Sequence, residues 1–184
     1  GALAAANTAP ASVATWEEPG LGAREVWLNP RMNYPYGVAF SQVEIDPESG
    51  AIRVRRYFVA YEVGRAVNPQ LLAGQIHGGV AQGLGGALFE ELAYDDDGQP
   101  RAVSLMDYLL PTAVELPDEI GTLILEDAPT PTNPLGAKGA GESGILGAGA
   151  SIAGAISDAL GDATLVTRLP LTPERVLELV HARK

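Results

Sequence analysis

Cysteine is absent from this sequence of 184 residues, and histidine occurs only twice, as His77 and His181. A chain without thiolates forms no disulfide and holds no iron–sulfur cluster or cysteine-rich zinc ion on its own side chains. Two histidines so far apart in sequence also exclude a multi-histidine metal centre. We therefore expect this chain to supply no metal ligand.

Positive charge is also scarce: 12 lysines and arginines face 23 aspartates and glutamates, and the formal net charge is -11. Proteins bind nucleic acids through cations that displace counterions from phosphate groups, so this charge argues against a nucleic-acid partner. It argues equally against binding to an anionic membrane surface. Because the sequence has no run of about 18 apolar residues and no recognisable secretory signal, we expect a cytoplasmic protein without a membrane-spanning helix.

Glycine and proline are abundant instead. The 22 glycines and 14 prolines make up about a fifth of the chain, against ~12% in an average globular protein. Since 46% of the residues are hydrophobic, the sequence can still form a core. Much of the backbone must therefore run in turns, or pass close to a neighbour that leaves no room for side chains.

The clearest local pattern predicts a β-hairpin. Strands are predicted over Tyr36–Asp46 and Ile52–Tyr61, and Asp46–Gly50 (DPESG) between them is a strong turn signal. In a regular second strand, one face would carry Ile52, Val54 and Phe58, and the other Arg53, Arg55 and Tyr57. Shorter strands are predicted over 103–109, 123–126 and 163–167.

Three segments are predicted to be helical. Asn68-Pro69 is a typical helix start, and that helix should extend to about Leu92. The others should run from Ser143 to about Leu160 and from a Thr172 cap to about Val180. The first helix contains six glycines, each about 1 kcal/mol less favourable than alanine, namely Gly74, Gly78, Gly79, Gly83, Gly85 and Gly86. We infer that its backbone approaches another backbone or a flat ligand, where a Cβ would clash.

These elements together predict an α+β domain, in which β-hairpins and short strands pack against glycine-rich helices. The domain is expected to occupy residues 31–184. Residues 1–30 are expected to form an N-terminal arm or connector, because Ala, Thr, Ser and Pro dominate their first two thirds without any periodicity.

The loop Gly136–Gly144 (GAKGAGESG) allows several interpretations. It contains the G-x-G-x-x-G pattern of a dinucleotide site, but prolines rather than a strand precede it, and the spacing of a P-loop is missing. Alternatively, Glu142 is a lone carboxylate that acts as a general base, shielded from water beside a bulky cofactor whose anionic groups the loop amides bind. In the simplest interpretation, Glu142 only interacts favourably with a helix dipole.

Two glycine-rich motifs together resemble the molybdenum hydroxylase family: Gly74–Gly85 (GQIHGGVAQGLG) and Gly136–Glu142 (GAKGAGE). Other motifs agree in order and spacing, namely Tyr34–Gly37 (YPYG), Val63–Pro69 (VGRAVNP), Ser104–Tyr108 (SLMDY), Pro131–Pro134 (PTNP) and Leu169–Arg175 (LPLTPER). That family comprises the large, molybdopterin-binding subunits of xanthine dehydrogenase, aldehyde oxidase and aerobic carbon monoxide dehydrogenase. The resemblance runs from about residue 30 to the last residue and corresponds to the C-terminal part of such a subunit.

The resemblance implies roles for six residues. Glu142 matches the family's catalytic glutamate, the base that accepts a proton at the molybdenum centre. Gln75 matches the glutamine whose amide contacts the pterin. The loop that wraps around the cofactor is matched by Lys138, Gly139, Ala140 and Gly141. On a helix, one stripe beside the cofactor would be formed by Gln75, Gly79, Gln82 and Gly86.

The resemblance also implies groups outside this chain. The expected activity is molybdenum-dependent oxidation of an aldehyde, N-heterocycle or similar small substrate, with the cofactor as molybdopterin or its cytosine dinucleotide form. A longer molybdopterin-binding chain would carry the rest of the large subunit, as part of a higher-order oligomer. An iron–sulfur subunit with 2Fe-2S clusters and a flavin subunit with FAD would receive the electrons. The alternative function is a non-catalytic assembly module that completes a multi-subunit complex.

Overall fold

The computed structural model describes residues 31–162 and 165–182. The predicted hairpin is confirmed: β1 (Tyr36–Ile45) and β2 (Ile52–Glu62) pair antiparallel, and Gly50 in the turn has a φ of 73°. A third strand, β3 (Glu119–Leu125), pairs parallel to β2. The sheet order is therefore β1–β2–β3, with β2 at the centre.

Two predicted strands are not formed. Residues 103–109 form turns, because the Ser104 hydroxyl accepts from the backbone N–H of Met106 and donates to the Asp107 carboxylate, 3.2 and 2.9 Å away. Residues 165–167 carry no strand, and the first two residues of that predicted element lie outside the described residues. The predicted arm, residues 1–30, lies outside them as well.

A β-bulge explains why the faces predicted for β2 are wrong beyond Arg55. Gln42 pairs with Arg56 and Val43 pairs with Val54, so Arg55 is an extra residue and the alternation shifts by one position. Beyond the bulge, Tyr57 is 1% exposed and Phe58 is 41% exposed, the reverse of the prediction. The inward residues of β2 after the bulge are thus Tyr57, Val59 and Tyr61.

The described part of the chain contains four helices, in chain order α1 (Pro69–Leu88), α2 (Ser143–Leu146), α3 (Ala148–Ala159) and α4 (Pro173–His181). The predicted caps are confirmed, since Asn68 accepts from the backbone N–H of Leu71 and Thr172 from that of Arg175. α1 ends at Leu88, short of the expected Leu92, and the helix expected from Ser143 is divided at Gly147. Within the described residues, no helix has the length and apolar character needed to cross a bilayer.

The helices pack on one face of the sheet around two clusters of buried residues. The first consists of Val54, Leu84, Ala87, Leu88, Ile152, Ile156, Leu171 and Val176. The second consists of Tyr57, Val59, Tyr61, Val63, Ile76, Val80 and Ala148. Because α1 and α3 supply residues to both clusters, they are fixed against β2 along its length, which confirms the α+β architecture.

Two glycines of α1 allow close helix contact. A Cβ on Gly79 would lie 2.9 Å from the Cα of Gly144, and one on Gly83 would lie 2.4 Å from the Cβ of Ala148. At these positions the prediction that backbone approaches a neighbour is confirmed. Other glycines of α1 have nothing within 4 Å of such a Cβ, namely Gly74, Gly78 and Gly86. The first pair therefore serves the packing of this chain, and the second group faces open space.

Candidate functional site

The loop before α2 and the first residues of that helix line an open cleft of about 360 Å³. The residues around it are Pro35, Gly139, Ala140, Gly141, Glu142, Ser143 and Leu146. Four of the six predicted site residues therefore lie in one cleft, and they are contiguous in sequence. Leu146, at 69% exposed, gives the cleft an apolar wall opposite the polar backbone of the loop.

Glu142 immediately precedes α2, and its side chain is exposed. The carboxylate makes no capping hydrogen bond to the helix, and nothing else in the described ranges bonds to it. In the chain alone the Glu142 carboxylate is open to water, because Gly141 has no side chain and Ser143 is buried, so the expected shielding beside a cofactor stays a prediction. α2 has only four residues, so a helix-dipole role for Glu142 has little dipole to act on.

The dinucleotide interpretation of the loop fails on the local fold. A dinucleotide site needs a strand that leads directly into the glycine pattern and a full helix that follows it. Here β3 ends at Leu125, no strand occurs between it and Gly139, and α2 ends after one turn at Leu146.

A side chain would fit at Gly139 and at Gly141 without a clash. Nothing lies within 4 Å of a Cβ built on either residue, and neither has a positive φ. Gly136, by contrast, has a φ of 71°, and a Cβ there would lie 2.7 Å from the Cβ of Pro129. Within the described residues, glycine is thus required at 136 by the fold, whereas at 139 and 141 it leaves the cleft open.

Gln75 is exposed on α1 and does not line the cleft. Its neighbour Ile76 is buried, and the Ile76 carbonyl oxygen would lie 2.1 Å from a Cβ on Gly144. The exposed stripe of α1 runs through Leu71, Gly74, Gln75, Gly78, Gln82 and Gly86. The predicted stripe is therefore wrong at one position: Gly79 is buried against α2, and Gly78 takes its place.

Lys138 points away from the cleft, into the protein. Its ammonium group pairs with the carboxylate of Glu62, and the two side chains are only 11% and 4% exposed. The same ammonium lies 4.7 Å from the centre of the Tyr36 ring, a cation–π contact. Because this charge is already neutralised, any contact of Lys138 with a cofactor would have to use its backbone.

Glu62, at the end of β2, joins three segments of the chain. One carboxylate oxygen accepts from the backbone N–H groups of Gly64 and Ala128, at 2.9 and 3.0 Å, and the other from Lys138. Burial alone would raise the pKa of Glu62, but the Lys138 ammonium and the two N–H groups outweigh it and hold that pKa below its usual value.

Sequence reasoning missed the residues that hold the loop. Besides Glu62, Asn33 accepts from the backbone N–H of Gly139 at 3.3 Å, and the Asn133 amide bonds to both backbone groups of Ala137 at 2.8 and 3.2 Å. The available signal was charge: Glu62 is the one acid in an apolar stretch, 57–63, and Lys138 is one of only two lysines.

No metal site is formed by the described part of the chain itself. In those ranges no group of three histidine, cysteine or acidic side chains is placed to hold an ion. His77, for which no role was predicted, lies 3.0 Å from the Thr122 hydroxyl on β3, within hydrogen-bond distance.

The sequence matches the molybdopterin cofactor-binding domain family over residues 4–117. It is 50% identical over 95% of its length to the gamma subunit of the 6-hydroxypseudooxynicotine dehydrogenase complex of Paenarthrobacter nicotinovorans, and covers 22% of that protein. The fold matches the crystal structure of Cu,Mo-CO dehydrogenase with a TM-score of 0.80 and 34% identity, over 90% of this chain and 21% of the other. Quinoline 2-oxidoreductase from Pseudomonas putida 86 gives a TM-score of 0.70 and 43% identity, over 76% and 18%.

The chain thus spans about a fifth of the length of these relatives. The family match covers more than half of the chain, and the identities far exceed those at which only a fold is shared. The motifs of α1 and of the 136–142 loop, on which the resemblance was based, lie in the segments that form the packed core and the cleft. The chain belongs to the molybdopterin-binding, xanthine dehydrogenase-type family of molybdenum hydroxylases.

Proposed function

We propose that this chain forms one side of the molybdenum-cofactor site of a multi-subunit molybdenum hydroxylase, with Glu142 as the catalytic base. The observation that carries the proposal is the exposed Glu142 carboxylate, without a partner among the described residues, in the cleft beside Gly139 and Gly141. A carboxylate that is free of internal hydrogen bonds can accept a proton from outside the chain.

Two features of the chain suit contact with a large planar group, one in the cleft and one outside it on α1. The open space at Gly139 and Gly141 allows such a group to approach the backbone, where side chains would otherwise fill the cleft. The exposed amide of Gln75, on a helix that packs against Gly144, offers both a donor and an acceptor to a heterocycle edge. We propose that these positions, together with the Ala140 backbone and that of Lys138, contact the cofactor.

In the proposed reaction the bound molybdenum cofactor supplies the redox chemistry and the activated oxygen. Glu142 would be the group that accepts a proton at this centre, and it must be ionised to do so. α2, whose first residues Ser143 and Gly144 are buried, would hold the Glu142 backbone in place, while Leu146 lines the same cleft as an apolar side chain. Closure of the cleft by other polypeptide would exclude the water to which Glu142 is exposed here.

The proposed substrate is a nitrogen-containing aromatic compound or a similar small molecule. One relative, at 50% identity, is named for 6-hydroxypseudooxynicotine and another, at 43%, for quinoline. Cu,Mo-CO dehydrogenase is less similar, at 34% identity, and this chain has no cysteine to hold copper. Because 2Fe-2S clusters are held by cysteine thiolates, we propose that they reside on a partner chain. We further propose that FAD resides on another partner chain and that the cofactor is molybdopterin or its cytosine dinucleotide form.

Glu142→Gln in the assembled complex tests this proposal. Loss of a general base is expected to lower turnover per molybdenum by ~10²-fold or more, because the amide cannot accept the proton. Glu48→Gln, an equally exposed acid in the β1–β2 turn, is the matched control and should keep full turnover.

Molybdenum content measured on the same samples separates catalysis from assembly. Full metal content with lost turnover in Glu142→Gln supports the catalytic proposal. Full metal content with unchanged turnover contradicts it and favours the assembly module, which the many exposed apolar side chains of the domain would suit.

A further inference from the structure

We propose that Glu62 is a positioning residue for Glu142: through its ion pair with Lys138 it fixes the loop that carries the catalytic base. The inference rests on the proposed function of Glu142. Glu62 itself lies outside the cleft, at the end of β2, and acts only through the loop.

Between Lys138 and Glu142 the loop has few other means of staying in place. Gly139 and Gly141 have no side chains to pack, and the N–H of Gly139 makes only a long hydrogen bond, 3.3 Å, to Asn33. Lys138, four positions before Glu142, has a side chain that is only 11% exposed. Its backbone N–H also donates to the carbonyl of Val63, at 2.9 Å, directly after Glu62.

The same carboxylate fixes the surroundings of Lys138. Glu62 accepts from the N–H groups of Gly64 and Ala128, so it ties the end of β2, the turn after it and the chain beyond β3 to one point. The turn at Gly64 touches the loop directly, since a Cβ there would lie 2.2 Å from the carbonyl oxygen of Gly136. The Glu62 carboxylate therefore restrains the start of the loop at two places, directly at Lys138 and, through the Gly64 turn, at Gly136.

A buried pair of this kind is effective for positioning because neither partner can leave alone. Removing one charge strands the other in a site that water barely reaches, whereas removing both leaves a neutral gap. The ion pair therefore resists any increase in the distance between β2 and the loop. A displacement of about 1 Å in a catalytic group can cost on the order of 10²-fold in rate.

The experiment compares Glu62→Gln with Arg175→Met in the assembled complex. Arg175→Met is the matched control, because it breaks another partly buried ion pair, with Glu91, that lies at α4 and not at the loop. The readouts are amide hydrogen exchange of the peptide covering 136–142, and kcat and KM per molybdenum. We expect Glu62→Gln to speed loop exchange and to lower kcat by about 10-fold or more with little change in KM, and Arg175→Met to do neither.

Two further variants keep the test decisive if Glu62→Gln assembles poorly. The double variant Glu62→Gln/Lys138→Met has no unpaired buried charge, so it should assemble and still show the loss in kcat. Lys138→Arg keeps a positive charge beside Glu62 and should leave loop exchange close to that of the parent. Unchanged loop exchange and kcat in the Glu62 variants, or an equal loss of kcat in Arg175→Met, would overturn the inference.

Glu142→Gln, measured alongside, separates this inference from the proposed function. If Glu142→Gln keeps full turnover, the base assignment fails, and loop exchange alone still decides whether Glu62 holds the loop. If Glu142→Gln is inactive and Glu62→Gln is normal in both exchange and kcat, only the positioning inference fails.

Discussion

Two glutamates, Glu62 and Glu142, have opposite environments. Glu62 is 3% exposed and its carboxylate accepts three hydrogen bonds, whereas Glu142 is exposed and its carboxylate accepts none from the described residues. A carboxylate committed to internal partners stabilises the fold, and an uncommitted one remains available for chemistry. Lys138 joins the two, because it neutralises the first and lies on the loop that ends at the second.

The Glu62 ion pair should make stability depend on acid pH. Because the pKa of Glu62 is lowered in the folded state, its stabilising contribution is complete above the ordinary carboxyl pKa of about 4.3 and is lost as pH falls through the lowered value. Urea unfolding midpoints of the parent and of Glu62→Gln should therefore differ at pH 7 and converge as the pH falls below about 4.3 and through the lowered pKa of Glu62. A separation that stays constant over the whole range would show that the ionised form contributes nothing.

At the scale of the elements, local signals predicted what local interactions determine. The hairpin turn, the Asn68 and Thr172 caps and the helices that they begin follow from neighbouring residues alone. The bulge at Arg55 and the break at Gly147 depend on contacts between distant segments. A Cβ at Gly147, for example, would lie 2.7 Å from the Cβ of Ala39 on β1.

The candidate site also divides into residues that a local sequence motif predicts and residues that only the fold brings together. The loop and Glu142 were predicted from a contiguous motif, Gly136–Glu142, whose spacing is preserved in one stretch of sequence. The Glu62–Lys138 pair joins residues 76 positions apart, and no local pattern pairs one acid with one base over that distance. The exposed face of α1 agrees with the predicted stripe except at Gly79, because periodicity alone does not show which glycine meets another helix.

Neighbouring glycines of α1 should respond in opposite ways to the same substitution. Gly79→Ala places a Cβ 2.9 Å from the backbone of α2 and is expected to destabilise the fold by about 1–3 kcal/mol. Gly78→Ala adds a Cβ to open space and should stabilise the helix by about 0.5–1 kcal/mol. Urea unfolding of both variants at low protein concentration measures the difference, and equal effects would contradict the helix packing described here.

At the scale of the whole molecule, helices cover one face of the described sheet, and the other face is exposed and carries an apolar patch. The exposed face carries Val38, Phe40, Phe58 and Leu123, which are 41–59% exposed, and the rings of Phe40 and Phe58 are 6.5 Å apart. Apolar side chains that adjoin one another in this way are typical of surfaces that meet other polypeptide. The relatives are about five times longer than this chain, so they contain polypeptide that is absent here.

The isolated chain should therefore self-associate. Contacts between exposed apolar faces remove surface from water at about 25 cal/mol per Å², which favours association even without a specific fit. Sedimentation velocity over a concentration series should show oligomers that Phe40→Ser reduces. A monomer at all concentrations with a single cooperative thermal transition would contradict this expectation.

The central claim is that the cleft beside Glu142 is the molybdenum site. The most direct test is to locate the metal in the crystallised complex by anomalous scattering at the molybdenum absorption edge. We expect the anomalous peak in the cleft lined by Gly139–Glu142, with the Glu142 carboxylate facing it. A peak elsewhere, with this cleft filled by other polypeptide, would contradict both the cofactor assignment and the role of Glu142.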